Sequence, residues 1–191
     1  MLHTNSTLRL AVMAALLIGS SPAGARAQAQ TETFTATASL KTAAGAQLSA
    51  PVTIVVTRLT TEAERTTVIE ALKKGGTSGV AQALKALPDA GYIEVGQRRT
   101  TVKYAFARQT GGGRLVTVVA PTPIAYLGAG LPNAAPKAGF DLSLAILDLS
   151  ASGGTGELVP AATVKADPAG SIQTQDYGAE AVRLTNVQAK K

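Results

Sequence analysis

Thr33-Phe34-Thr35-Ala36-Thr37-Ala38-Ser39-Leu40-Lys41 alternates polar and apolar residues without a break. Successive side chains of a strand point to opposite faces, so Phe34, Ala36, Ala38 and Leu40 share one face while the threonines, Ser39 and Lys41 share the other. The stretch predicts a half-buried β-strand and sets the fold class. After a linker ending at Pro51, residues 52–59 (VTIVVTRL) are apolar on both faces, which suits a strand inside a sheet.

A helical insertion follows. Thr61-Glu62-Ala63-Glu64 has capping-box spacing, and Val68, Ile69 and Leu72 recur at helical intervals. Lys73 and Lys74 suit the negative end of the helix dipole, and Gly75 can take a left-handed cap. Thr77 opens a second helix, with Val80, Leu84 and Leu87 inward and Pro88 as its stop. The pair reads as a helical hairpin covering one face or end of the sheet.

Beyond Pro88 the pattern is strands and turns. Residues 92–95, 101–108 and 114–119 form a meander. A three-residue Gly111-Gly112-Gly113 loop would set Phe106 opposite Val118 and Tyr104 opposite Ala120, matching apolar partners. Phe140, Leu142, Leu144 and Ile146 alternate until Asp148 breaks the phase, which predicts a bulge or a strand buried on both faces. Strands near 157–165, 171–176 and 181–187 complete the chain, with a turn at residues 167–170. The fold class is α+β: a mostly antiparallel twisted β-sheet, half-barrel or sandwich-like, with the helical hairpin inserted after the second strand.

The N-terminus carries a secretory pattern. Arg9 precedes an apolar run from Leu10 to Ile18, too short to span a bilayer, and Ala25-Arg26-Ala27 and Ala27-Gln28-Ala29 offer cleavage sites. Residues 1–29 are expected to be a cleaved signal peptide. Taking them from the 191 leaves 162, residues 30–191, as a single α+β domain in the periplasm or outside the cell, with no stable membrane insertion. His3, the single histidine, leaves with the signal, and the chain has no cysteine.

That composition excludes much chemistry. Without His or Cys there is no Ser-His-Asp triad, thiol nucleophile or ordinary zinc site, so no metal and no cofactor are expected. The formal charge of +6 falls to +4 once Arg9 and Arg26 depart. With no Trp, four Tyr and three Phe, the chain is too poor in stacking residues for a nucleic-acid groove. Stability must come from burial of Val, Ile, Leu and Ala, worth about 25 cal/mol per Å².

Carboxylates remain as candidate catalysts. Glu94, Asp141 and Asp148 stand among apolar residues on predicted strands, where burial could raise a pKa; the bland account puts them on wet faces or at a bulge. Arg98, Arg99, Lys103, Arg108 and Arg114 would make a basic rim for an acidic polymer, or would simply keep edge strands soluble. Tyr92, Tyr104, Phe106 and Phe140 would line an inward cavity for a small apolar ligand, or would simply be core. The glycine-rich runs at 128–130 and 153–156 read as turns.

The stretches Ala50-Pro51-Val52-Thr53-Ile54-Val55-Val56, Gly91-Tyr92-Ile93-Glu94-Val95-Gly96, Thr110-Gly111-Gly112-Gly113-Arg114 and Asp176-Tyr177-Gly178-Ala179-Glu180 resemble those of a family of exported bacterial hypothetical proteins. The resemblance implies no activity, ligand or catalytic residue. The leading expectation is therefore a non-catalytic exported module that binds an envelope partner or a small apolar ligand. The alternatives are a carboxylate-dependent glycan hydrolase and a structural or stress-related envelope protein.

Overall fold

A computed structural model describes residues 31–41, 47–124, 137–150, 153–168, 171–178 and 181–190. Residues 1–29, expected to be a signal peptide, and the 128–130 glycine run lie outside the described residues. In chain order the elements are β1 (Glu32–Lys41), β2 (Gln47–Val56), α1 (Glu62–Ala86), β3 (Gly91–Val95), β4 (Arg98–Val102), β5 (Tyr104–Thr110), β6 (Gly113–Ala120), β7 (Leu142–Ser150), β8 (Gly153–Ala166), β9 (Ile172–Tyr177) and β10 (Val182–Lys190).

All ten strands belong to one antiparallel sheet ordered β4-β3-β2-β1-β10-β8-β7-β6-β5, with β9 attached to β8. The path begins on β4 and ends on β5, and Lys103 alone separates these two in sequence. The sheet therefore rolls into a nearly closed barrel, its two edges carried on one length of chain. Closure satisfies backbone groups that an open edge would expose. The Lys103 N–H donates to Val119 O (3.0 Å), and the 57–60 segment clasps β5 through Thr60 N–H to Ala105 O (2.8 Å) and Ala105 N–H to Thr60 Oγ1 (2.9 Å).

The corner at Lys103 corrects the reading of 101–108 as one strand. Val102 packs in the barrel interior and Ala105 does so again, whereas Tyr104 packs on the outer face. One residue absorbed at the corner inverts the side-chain phase.

The interior is aliphatic, built by the faces of nine strands around Phe34, Ile54, Ile93, Val118, Leu147, Leu158 and Leu184. β1 contributes Phe34, Ala36 and Ala38, the face its alternation predicts. β7 is buried on both faces along its first half: Ala145 and Leu147 point inward while Leu142 and Leu144 support a second, outer layer. Asp148 is simply an outward residue beyond that layer, paired in regular register with Thr155.

The outer layer is the helical insertion together with the ends of β8 and β9. α1 opens with the predicted capping box: Glu64 N–H donates to Thr61 Oγ1 (3.3 Å) and Thr61 N–H to Glu64 Oε2 (2.8 Å). Gly76, at φ 57°, breaks the helix into arms of residues 62–75 and 77–86, so the left-handed residue is Gly76 rather than Gly75. The arms fold back on each other, since a Cβ on Gly79 would lie 2.5 Å from Ala71 O. Eight residues along a straight helix would be about 12 Å apart. Val68 from the first arm and Val80, Ala81 and Leu84 from the second pack with Tyr104, Leu144, Val164 and Ile172.

The β5–β6 register differs from the expected one. Thr110 pairs with Gly113 around a two-residue turn, so Phe106 faces Thr117 and Tyr104 faces Val119. The barrel face decides it, because this register sets Ala105 opposite Val118 and Ala107 opposite Val116 inside. The glycines of 153–156 are likewise no turn. They open β8, between β7 and β10.

Candidate functional site

Where the outer layer ends, outward side chains of the sheet run from the buried Thr117 to the exposed Asp148 and Arg183. Register aligns Thr117, Ile146, Glu157 and Arg183 across β6, β7, β8 and β10, and beside them Leu115, Asp148 and Thr155 across β6, β7 and β8. These rows floor a groove. One compartment, of about 610 Å³, lies over β7, β8 and β10 between Asp148, Thr155, Glu157, Arg183 and Thr185. A smaller one, of about 200 Å³, is walled by β9 and its preceding turn and reaches Asp167, Ser171, Gln173 and Thr174. Ile146 and Glu157 line both, so the two compartments are adjacent and share a wall.

β9 reaches this position because β8 changes neighbours along its length. Residues 154–158 pair with β10, residues 162–166 with β9, and Pro160, which has no N–H to donate, sits between. At the mouth stands Tyr177, 46% exposed, its hydroxyl donating to Glu157 Oε1 (3.2 Å). Burial, then the neighbouring Glu157 carboxylate, pushes the Tyr177 pKa up.

Asp167 is the most enclosed carboxylate of the groove, its side chain only 4% exposed. Its Oδ1 accepts from Ser171 N–H (2.7 Å), its Oδ2 accepts from Gln173 Nε2 (3.3 Å), and Arg108 stands 4.0 Å away. Two hydroxyl oxygens in the same compartment, Ser171 Oγ and Thr174 Oγ1, are buried without a hydrogen-bond partner. Such groups cost about 1–3 kcal/mol each when nothing bonds them.

Tyr177 is held in place by its neighbour. Gly178 donates its N–H to Ala161 O (2.8 Å), and a Cβ there would lie 2.5 Å from Phe140 Cγ. Gly178→Ala is therefore expected to cost about 1–3 kcal/mol by overpacking, read as a lower midpoint in urea unfolding. A midpoint equal to wild type would refute that contact.

The carboxylates singled out from sequence are not brought together. Glu94 lies on the outer face of β3, opposite Arg99 and ion-paired with it. Asp141 is exposed just before β7, and Asp148 lies near the far end of that strand, in the groove. Glu157 and Asp167, which join Asp148 there, had no sequence signal beyond their charge. Their convergence depends on register and on the turn before β9.

The aromatic set also disperses. Tyr92 faces outward beneath the Arg99 guanidinium (4.4 Å), Tyr104 and Phe106 belong to the layer under α1, and Phe140 is buried against residue 178. None of the four lines the barrel interior, because the phase change at Lys103 turns the β5 aromatics outward. The cations form no continuous rim. Lys103 pairs with Asp89 (2.6 Å), Arg114 holds Glu32 with two bonds (2.6 and 2.9 Å), and Arg108 faces Asp167, while Arg98 and Arg99 lie on β4.

Among the described residues, no helix is long and apolar enough to cross a membrane. In comparisons with known proteins, no family model, curated protein or solved structure matches the chain.

Proposed function

We propose that this protein is an exported, non-catalytic binding module of the cell envelope, and that its outer-face groove takes a hydroxyl-rich ligand of the glycan class. The observation that carries the reading is the pair of adjoining compartments lined by Thr155 and Thr185 and by Ser171, Thr174 and Tyr177, together with charged groups at fixed register positions. Hydroxyl and carboxylate groups match the donors and acceptors of a sugar, and an exposed tyrosine offers a flat apolar face with a polar tip. The apolar-ligand reading loses support because Tyr92, Tyr104, Phe106 and Phe140, its expected walls, lie outside the interior cluster around Leu147, Leu158 and Leu184. An acidic polymer is disfavoured by charge, since among the described lining residues the carboxylates of Asp148, Glu157 and Asp167 outnumber the cation Arg183, and Arg108 beside them is already paired with Asp167.

Calorimetric titration with neutral, cationic and anionic oligosaccharides tests the proposal. Neutral and cationic oligomers are expected to bind and anionic ones to fail. Tyr177→Ala should weaken binding about tenfold, roughly 1.4 kcal/mol, without lowering the unfolding midpoint. Absence of binding by every oligosaccharide would overturn the reading. Release of new reducing ends by wild type, abolished in Glu157→Gln, would instead favour the hydrolase, which the three carboxylates in one groove keep as its rival. Export is tested separately by intact mass of the secreted form, expected to start near Gln28 or Gln30.

A further inference from the structure

We infer that the compartment of about 200 Å³ beneath β9 is a subsite for a protonated primary amine, and that the glycan recognised by the groove carries a free amino group on a sugar ring. The inference rests on the glycan-binding reading and sharpens it to a substrate class. An ammonium group is three donors with no acceptor, so its site must converge acceptors and exclude other cations. The compartment does both. Asp167 and Glu157 supply carboxylate oxygens, and among the described residues no Lys or Arg lines it. Arg108, outside the lining, pairs with Asp167 from 4.0 Å, so an ammonium would share that carboxylate with it and be the only cation at Glu157 within the compartment.

Two further acceptors are already in place and unused. Ser171, 4% exposed, and Thr174 present hydroxyl oxygens that are buried without a partner. Asp167 accepts from Ser171 N–H and Gln173 Nε2, which fixes its orientation and leaves lone pairs over, since a carboxylate accepts at about four sites. Charge-assisted bonds from an ammonium to these oxygens would be about twice as strong as those a neutral hydroxyl makes. An acetylated amine is neutral, has one donor where the ammonium has three, and is bulkier. The wider compartment, with Thr155, Thr185 and Arg183, is then left for the flanking hydroxylated rings.

Calorimetry with glucosamine oligomers and with fully N-acetylated oligomers of equal length tests this. The free-amine series is expected to bind at least about tenfold more tightly. Ser171→Ala combined with Thr174→Val should remove that preference, weakening the free-amine series about tenfold more than the acetylated series. Asp167→Asn should do the same, and because Asp167 also holds the turn before β9, Glu157→Gln provides a charge-removing variant outside the turn. Equal affinity for the two series, as expected if only water satisfies Ser171 and Thr174, would overturn the amine subsite and leave the glycan reading standing. Tighter binding of the acetylated series would overturn it too. Failure of both series to bind would overturn the subsite and the glycan reading together.

Discussion

Phe34→Ala is expected to lower the unfolding free energy by about 3–5 kcal/mol, the largest loss from any single truncation in the barrel. Phe34 is 1% exposed and is, among the described residues, the sole aromatic of the interior cluster, surrounded by Val, Ile, Leu and Ala. It faces Ile54 on β2 and Ala189 on β10, and the Arg114 guanidinium lies 5.8 Å from its ring while pairing with Glu32. Removing the ring leaves a void that the strands cannot close, because hydrogen bonding fixes their spacing at about 4.8 Å. Urea unfolding should show a lower midpoint with an unchanged slope. Phe106, half-buried on the outer face, should cost clearly less when truncated in the same way. A loss under about 1 kcal/mol for Phe34→Ala would contradict an interior packed around this ring.

The second large effect is on alkaline stability. Tyr104 is fully buried in the layer beneath α1, and its hydroxyl has no hydrogen-bond partner. Burial pushes its pKa from 10.0 up to about 12, the nearby Arg65 opposing and Asp167 and Glu62 adding to the rise. Below pH 10 the phenol is neutral in both folded and unfolded chains and contributes no pH dependence. Between pH 10 and 12 the unfolded chain loses this proton first. The folded state then binds more protons, and stability falls as pH rises, by about 2 kcal/mol at pH 12.

Tyr104→Phe should flatten that part of the profile. It should also raise stability near pH 7 by about 1 kcal/mol, because it removes a buried hydroxyl that bonds to nothing. Denaturant unfolding of both proteins at pH 8, 10 and 11.5 measures the difference. Parallel pH profiles for wild type and variant would show that this phenol is not the group responsible.

Much of the architecture is legible from local pattern. The alternation of 33–41 makes β1 and names its inward face, since side-chain direction in a strand has period two whatever the strand packs against. Thr61 and Glu64 specify the start of α1 because a capping box needs only residues three apart. Gly75-Gly76 marks the break of the hairpin to within one residue.

Legibility failed where a face could be assigned in two ways. The β5–β6 hairpin is apolar on both sides, so matching Tyr104 and Phe106 to apolar partners was no safer than matching Ala105 and Ala107. The barrel interior chose the second. At Lys103 a single residue inverts the phase, and nothing in 101–108 distinguishes a corner from a continuous strand. The groove was hidden for a related reason. Asp148 was visible as a break in an apolar rhythm, but Glu157 sits nine residues away on the next strand, and Asp167 reaches the site only through the turn before β9.

The sequence alone determined the kinds of element, their order, the aliphatic character of the core and the absence of cysteine, because these follow from residue type and short-range periodicity. Tertiary structure alone decided that the sheet closes on itself, which register each hairpin takes, and which carboxylates and hydroxyls share a groove. Those outcomes depend on contacts between residues distant in sequence, and they are set by which packing buries both faces of the sheet at once.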